Sequence, residues 1–208
     1  MKKYYTRACN FYYGKLSKEK IKNKTAIPLN KSNLISFDTI EIITRFTGRH
    51  PVGHMAPWWE LSPNTISLLQ ERGIKYDSSL MEDDYHPYWL REGDSWTKID
   101  YSQSAETWMK PWVPGKEVNL IELPASWWLD DAPPTMFVKA FPNSHGWVTG
   151  RDLGEIWQDQ FDWVYRNHNY AIFLCTIHPD SAGKPHVLMM LERLIDHMMA
   201  HSGVRMVT

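Results

Sequence analysis

The sequence contains little cysteine and no long apolar run. Its two cysteines are Cys9 and Cys175, and Cys175 lies inside an apolar segment, which is typical of a buried thiol. Two cysteines so placed argue against a disulfide framework and favour a reducing compartment, so we expect a cytoplasmic protein. No apolar stretch approaches the ~20 residues that a membrane span needs, and no apolar segment follows the basic N-terminus as it does in a secretory signal. We therefore expect no contact with a membrane.

Several common catalytic and binding motifs are also absent. The sequence has no glycine-rich phosphate loop, no serine nucleophile elbow and no Cys-x-x-Cys pair. The net charge is -1, which argues against a nucleic-acid partner for the chain as a whole. Chemistry must therefore be sought among the histidines, the acids and the tryptophans.

Acidic residues are scarce in one part of the chain. Residues 1–36 hold nine of the 23 Lys/Arg but one of the 24 Asp/Glu, so the remainder carries an excess of negative charge. Residues 1–36 also show no sustained apolar period. This composition predicts a basic, irregular lead-in over 1–36 and a folded domain over 37–208.

Tryptophan, in contrast, is abundant, with eleven in 208 residues. Such a content suits a broad stacking surface for carbohydrate, and it equally suits an aromatic core. The hydrophobic fraction of 43% is enough for a sizeable core in one domain.

Apolar periodicity predicts helices that alternate with buried strands. Helices are expected over residues 36–48, 62–73, 152–164 and 185–201, and strands over residues 119–124, 170–177 and 204–208. Ser36 and Asp152 are the expected caps of the first and third of these helices. The segment 170–177 is apolar throughout, which is typical of a strand buried on both faces. This order indicates an α/β fold with a parallel sheet or a β/α barrel.

Ionisable side chains follow two of these strands. His178 comes directly after segment 170–177, and Pro179 fixes the turn there. Sites in parallel sheets lie beyond the carboxyl ends of the strands, so we interpret His178 as a site residue; the alternative is a histidine that hydrogen-bonds a loop carbonyl. Trp128, Asp130 and Asp131 follow the strand over 119–124. They can bind sugar hydroxyls or orient a catalytic group, or they are a solvated loop.

Two further sets were weighed as sites. Trp58, Trp59 and Glu60 precede a helix and can line a cleft, although filling a gap between helix and sheet is the commoner use of tryptophan. His197 and His201 lie one helical turn apart, which is the geometry for sharing a metal. Histidine also suits the end of a helix, and the sequence shows no obvious acid or cysteine as a third ligand, so no metal site is predicted.

Three blocks of the chain resemble a known family. They are GRHPVGHMAPWWELSPNTISLLQERGIKYDSSLMEDDYHPY, LIELPASWWLDDAPP and CTIHPDSAGKPHVLMMLERLIDHM. They are similar to the later conserved blocks of the polysaccharide deacetylases, of the carbohydrate esterase family 4 type. The nearest branch is the intracellular peptidoglycan-deacetylase-like proteins, which also include cyclic-imide and allantoin hydrolases. The resemblance spans residues 37–208 and implies the C-terminal part of a distorted (β/α) barrel whose N-terminal half is missing.

The resemblance also implies a reaction and roles for residues. The family hydrolyses non-peptide carbon–nitrogen bonds, with zinc or another divalent metal activating water, an aspartate as base and a histidine as proton donor. His178 matches that catalytic histidine. The residues that match the blocks expected to contact substrate are Trp58, Trp59, Glu60, Trp128, Asp130 and Asp131. The implied partner is an N-acetylated glycan, whose deacetylation is the expected reaction, or a small cyclic amide; relatives on this branch tend to assemble, so a homo-oligomer is compatible with it.

One departure from the family pattern limits these expectations. The family's metal ligands are an Asp-Asp pair and a His-x3-His segment that precede the GHMAPWW block, and residues 1–36 hold neither. We therefore expect that this chain binds no metal at the family's site and is inactive in this form. The alternatives left open are a hydrolase of cyclic imides or of allantoin, and a non-catalytic fragment that binds carbohydrate.

Overall fold

The computed structural model describes residues 31–137 and 146–207. Within them the chain forms two compact units, residues 31–125 and residues 126–207. Most of the predicted lead-in lies outside the described residues. Its last six residues, 31–36, are helical rather than irregular, because the first helix begins at Lys31.

The unit over residues 31–125 combines three helices with a four-stranded sheet. Its elements are α1 (Lys31–Thr47), β1 (Gly53–His54), α2 (Thr65–Glu71), β2 (Tyr76–Asp77), β3 (Tyr88–Glu92), α3 (Ala105–Trp108) and β4 (Lys116–Glu122). The strand order is β1-β2-β4-β3; β1, β2 and β4 are parallel, and β3 runs antiparallel to β4. The fold is therefore α/β with a mixed sheet. The predicted parallel pairing is confirmed, and the antiparallel β3 was not anticipated.

Local chemistry explains where the two longer helices of this unit end. Gly48 and Gly73 have φ of 71° and 73°, a left-handed conformation that ends a helix at little cost in glycine. The expected start of α1 at Ser36 is wrong, because the helix begins five residues earlier. The turn before α2 is held by a hydrogen bond of 2.9 Å between the hydroxyl groups of Ser62 and Thr65.

Strand β2 lies in the middle of three parallel strands and sets their register. Tyr76 pairs with Gly53 on β1 and with Ile121 on β4, and the next pair of contacts joins Asp77 to residues of both neighbours. Gly53 makes room for the ring of Tyr76, because a Cβ at residue 53 would overlap that ring unless the ring moved. The apolar core of this unit lies between α2 and the sheet and consists of Leu69, Ile74, Leu90 and Leu120.

The unit over residues 126–207 is mainly helical. Its elements are α4 (Ala132–Thr135), α5 (Gly150–Asn167), α6 (Pro179–Ala182) and α7 (Pro185–Met199). The long helices α5 and α7 bury a shared core that contains Leu153, Trp157, Phe161, Val187, Met190, Leu194 and Met198. Gly154 permits their close approach, because a Cβ there would lie 2.7 Å from the Cγ of Met190. Thr149 caps α5 by accepting a hydrogen bond of 3.2 Å from the backbone N–H of Asp152, so Asp152 lies in the first turn and is not the cap.

Segment 170–177 differs from the strand that its sequence predicts. It pairs with the rest of the described chain at one residue, Thr176, whose N–H and C=O bond to Leu129 and Asp131 at 2.8 and 3.1 Å. Most of its side chains are half-buried, and Phe173 and Cys175 pack on the helical core. A continuous apolar run indicates that a segment is buried, but it does not show whether neighbouring strands are available to pair with it. In this segment, alternate residues, Phe173 and Cys175, contact the helical core. Residues 204–207 also form no strand.

Among residues 31–137 and 146–207, no helix has the length and apolar content that a bilayer crossing requires.

The core of residues 31–125 gives a first testable prediction. Leu120 lies at the centre of β4 and is fully buried. We expect Leu120→Ala to lower the free energy of unfolding of this unit by about 2–5 kcal/mol, because it removes buried methyl groups and leaves a cavity. Urea denaturation measures this, with Ile99→Ala, on the exposed surface of the same unit, as the control. Equal urea midpoints for the two variants would contradict the assignment of this core.

Candidate functional site

The candidate site is built around a buried carboxylate at residue 131. Asp131 Oδ1 accepts hydrogen bonds from the backbone N–H of His178 at 2.9 Å and from its ring Nδ1 at 2.8 Å. Asp131 Oδ2 accepts a third from the hydroxyl of Ser181 at 2.8 Å. Because a carboxylate oxygen can only accept, the imidazole proton lies on Nδ1, and Nε2 of His178 faces away from this partner. The structure thus joins two residues that lie 47 positions apart in sequence.

The local backbone explains why these groups meet. The single bridge between Thr176 and the loop after residue 129 brings the end of segment 170–177 beside Asp131. His178 immediately precedes α6, in which Pro179 occupies the first helical position. The backbone N–H of His178 is therefore outside the helix and donates to the Asp131 carboxylate. Asp131 and Ser181 are buried, whereas 41% of the His178 side chain is exposed. A fixed and partly exposed imidazole is suited to proton transfer.

Asp130 differs from its neighbour in environment. Its Oδ1 accepts the backbone N–H of Ala132 at 2.7 Å and lies 3.5 Å from Nδ1 of His178. Burial raises the pKa of the Asp130 carboxyl above its usual value, and the charge of Asp131 adds to this, while the Ala132 N–H and His178 act in the opposite direction. The two acids are therefore not equivalent: one anchors the histidine, and the other is a neighbour whose charge is costly to bury.

The predicted substrate contacts fall in both units. In residues 126–207, Trp128 is 77% exposed, and its backbone C=O accepts a hydrogen bond of 2.9 Å from Trp157 Nε1. In residues 31–125, Trp58 is 70% exposed and Glu60 is exposed, whereas Trp59 is buried at 9% exposure. Trp59 is therefore packed inside its unit, whereas Trp58 and Trp128 present ring surface to solvent.

Comparison with known proteins identifies the relatives of this chain. No family model matches it. A peptidoglycan deacetylase of Helicobacter pylori (strain ATCC 700392 / 26695) is 50% identical over 186 residues, which are 89% of this chain and 64% of that protein. A peptidoglycan deacetylase-like protein of Gibberella zeae (strain ATCC MYA-4620 / CBS 123657 / FGSC 9075 / NRRL 31084 / PH-1) is 35% identical over 162 residues, which are 75% of this chain and 48% of that protein.

The chain is thus similar to the polysaccharide deacetylases. It spans about half to two thirds of the length of the relatives it matches, corresponding to about their C-terminal portion.

Solved structures agree with this similarity. A putative polysaccharide deacetylase from Mycobacterium smegmatis has a TM-score of 0.63 at 30% identity, over 83% of this chain and 51% of that one. A probable polysaccharide deacetylase from Pseudomonas aeruginosa PAO1 has a TM-score of 0.58 at 25% identity, over 82% and 47%. A third structure, an allantoinase, is 21% identical with a TM-score of 0.60 and shows a shared fold alone.

The residues around Asp131 do not fit a metal centre, although Asp130, Asp131 and His178 cluster closely. Both oxygens of Asp131 already accept hydrogen bonds from a backbone N–H, an imidazole and a hydroxyl, and a metal ion there would have to displace donors that compensate this buried charge. The cluster is therefore a hydrogen-bonded pair of acid and histidine, and we assign no metal to it.

A second buried polar cluster, which the sequence analysis did not single out, lies in the sheet of residues 31–125. Asp77 on β2 accepts a hydrogen bond of 2.5 Å from His54 Nδ1 on β1 and one of 3.1 Å from the Ser79 hydroxyl. Glu122 on β4 accepts the backbone N–H groups of Ser79 and Leu80 at 2.6 and 2.8 Å. Parallel registers place the three ionisable residues side by side. In the sequence, the cluster is indicated only by a polar residue near the end of each strand. The order in which the strands pair decides whether these residues lie close together.

The electrostatics of this cluster follow from burial. Asp77 and Glu122 are both fully buried. Desolvation and the charge of Asp77 together raise the pKa of Glu122 to about 8, so Glu122 keeps its proton at neutral pH and hydrogen-bonds Asp77.

We expect this proton to make stability depend on pH. The Glu122 carboxyl ionises near 4.5 when unfolded but near 8 when folded, so folding takes up a proton between these values, and stability falls as pH rises from about 4.5 to about 8. Glu122→Gln mimics the protonated acid and should flatten this decline in thermal unfolding measured from pH 5 to pH 8.5. Glu117→Gln, on the exposed face of the same strand, is the control and should retain it. An unaltered pH slope in Glu122→Gln would show that the carboxyl is ionised throughout.

Proposed function

We propose that this chain carries the proton-donating part of a deacetylase site that removes acetyl groups from N-acetylated glycan. The observation that carries the proposal is the contact between Asp131 and His178, in a chain that is 50% identical to a peptidoglycan deacetylase. We further propose that the mixed sheet is part of the distorted (β/α) barrel that the family resemblance implies.

In this proposal His178 is the general acid. Hydrolysis of an amide expels an amine, which is a poor leaving group until its nitrogen is protonated. His178 holds Nδ1 against Asp131, so the Nε2–H of its imidazolium form is directed to the leaving nitrogen. The exposed part of the ring provides the access that a polymeric substrate requires.

Asp131 acts through His178 and is a positioning residue. Its contacts with the backbone and ring of His178 and with Ser181 hold the imidazole in one tautomer and one orientation. The family's metal supplies activation of water and polarisation of the carbonyl. None of the steps described for this chain's own residues depends on that ion.

Trp128 is the residue proposed to hold the sugar. Its ring is exposed, while its backbone is fixed by Ser126, which caps the short helix Trp127–Leu129, and by the indole of Trp157. An aromatic face on an anchored backbone can stack on a pyranose ring without paying much conformational entropy. Its position two residues before Asp130 links sugar binding to the loop that carries the acids.

We also propose that the deacetylase site in this chain is incomplete. By the family pattern, metal ligands precede the GHMAPWW block, and the first 49 residues contain no histidine. We therefore propose that these 208 residues alone are inactive. The reading as a hydrolase of cyclic imides or allantoin has less support, because the allantoinase likeness is one of fold. A purely carbohydrate-binding role has less support because it does not account for the hydrogen bonds that hold His178 against Asp131.

A chimera tests the role of His178. The part of the Helicobacter pylori relative that precedes its matched segment is fused to the whole of the matched segment of this chain, and acetate release from N-acetylglucosamine oligomers is measured with zinc present. We expect activity that His178→Ala lowers by about 10²–10⁴-fold, the usual contribution of a general acid.

His186→Ala is the matched control, because His186 is an exposed histidine of the same unit, and it should not change the rate. A folded, active chimera that is equally insensitive to both substitutions would remove His178 from the mechanism. Metal-dependent acetate release by the 208-residue chain itself would instead overturn the proposed incompleteness.

Binding of sugar can be measured on the chain as it stands. We expect Trp128→Ala to weaken binding of N-acetylglucosamine oligomers by about tenfold, or roughly 1.4 kcal/mol, because it removes the stacking face. Isothermal titration calorimetry gives the affinity, and Trp163→Ala, half-exposed on α5, controls for loss of an indole elsewhere. Equal affinities in wild type and Trp128→Ala would place the sugar on another surface.

A further inference from the structure

Three side chains on α5 and at the end of α7 form a cluster that the deacetylase chemistry does not use. His197 lies in the last turn of α7, His201 follows two residues after the end of that helix, and Asp162 lies on α5. Asp162 Oδ1 accepts a hydrogen bond of 2.6 Å from His197 Nε2, and the two imidazole rings are 4.8 Å apart between centroids. The sequence showed the two histidines but no third ligand; the packing of α5 on α7 supplies it.

The ring of His201 is oriented as metal-binding histidines are. Its Nδ1 lies 2.8 Å from the carbonyl oxygen of His197, and a carbonyl can only accept, so Nδ1 carries the proton. The lone pair of the neutral ring is therefore on Nε2. A hydrogen bond from the other ring nitrogen to a backbone carbonyl is the usual device that fixes the tautomer of a metal ligand.

Aromatic neighbours hold both rings in place. Phe161 meets His197 and His201 edge-on at 5.8 and 5.2 Å, and Tyr165 meets His201 at 4.6 Å. The Tyr165 hydroxyl is itself anchored by donating to the carbonyl oxygen of Ser202 at 3.1 Å. The ligands therefore start close to their final orientation, which reduces the entropy lost when an ion binds.

We propose that Asp162, His197 and His201 form a binding site for a divalent transition metal of the zinc type. One atom from each residue can be chosen so that all three lie within 4.8 Å of one another. Tetrahedral zinc ligands at about 2.0–2.1 Å from the ion are about 3.3 Å apart, so Oδ1 of Asp162 and Nε2 of His197 need to separate by less than ~1 Å. The ion takes the place of the proton that they now share.

The ligand set defines the class of ion. Two imidazole nitrogens and one carboxylate oxygen suit zinc, nickel, cobalt or copper, whereas magnesium and calcium prefer oxygen ligands throughout. The side chains of His197 and Asp162 are partly exposed, so water can reach the ion and complete its coordination. This cluster also differs from the one at Asp131, whose carboxylate accepts additional hydrogen bonds from a backbone N–H and from the Ser181 hydroxyl.

The test is zinc binding by the untagged 208-residue chain after removal of metals with a chelator. In competition with a chromogenic zinc indicator, we expect one equivalent to bind, and His201→Ala and Asp162→Asn each to weaken it by more than about tenfold. Asp162→Asn retains an oxygen that can accept the hydrogen bond of His197 but loses the charge. Magnesium is the control ion and should not compete.

Two matched variants separate this site from other histidines. His186→Ala, at the opposite end of α7, and His178→Ala should both bind zinc as the wild type does. Zinc should also raise the midpoint of thermal unfolding of the wild type but not of His201→Ala, because an ion that binds only the folded chain stabilises it. Absence of zinc binding by the wild type, unchanged binding in Asp162→Asn, or loss of binding in His178→Ala would each overturn the proposal.

Discussion

The ordering of residues 126–207 around a candidate active site depends on one buried carboxylate. Asp131 is fully buried, so its charge must be compensated within the fold. Backbone, imidazole and hydroxyl donors from the segment around residue 178 provide this compensation. The same hydrogen bonds that compensate the buried charge also hold the His178 imidazole in one orientation. The stability of this region and the orientation of its candidate proton donor therefore depend on the same contacts.

The two buried acid clusters solve the same problem in different ways. Asp131 has a hydrogen-bond donor for each of its oxygens. In the sheet of residues 31–125, two carboxyl groups, Asp77 and Glu122, lie together, and each has fewer donors than Asp131 has. There a proton retained on Glu122 removes one of the two negative charges. Each unit thus buries a carboxyl group that is hydrogen-bonded to a histidine, and of the two histidines His178 exposes the larger part of its side chain.

Sequence patterns predicted these features unequally. Helix α2 and the strand around Leu120 followed from local signals, namely apolar spacing and a terminating glycine. His178 and Asp131 were each interpreted as site residues, from strand ends and from the family resemblance, but the hydrogen bond between them was not predicted. Segment 170–177 was predicted as a paired strand, yet apolar character reports burial and not hydrogen-bond partners. The contacts of Asp77 and of Asp162 lie beyond local patterns, because they depend on strand order and on which helix faces meet.

The register of β2 has an evolutionary consequence. Gly53 lies beneath the ring of Tyr76, with no space for even a methyl group between them. A side chain at residue 53 would therefore require the ring of Tyr76 to shift or to be replaced by a smaller side chain, whereas a smaller residue at 76 is compatible with Gly53. Among related chains that keep this pairing, we expect residues larger than glycine at 53 to be found mainly with side chains smaller than tyrosine at 76.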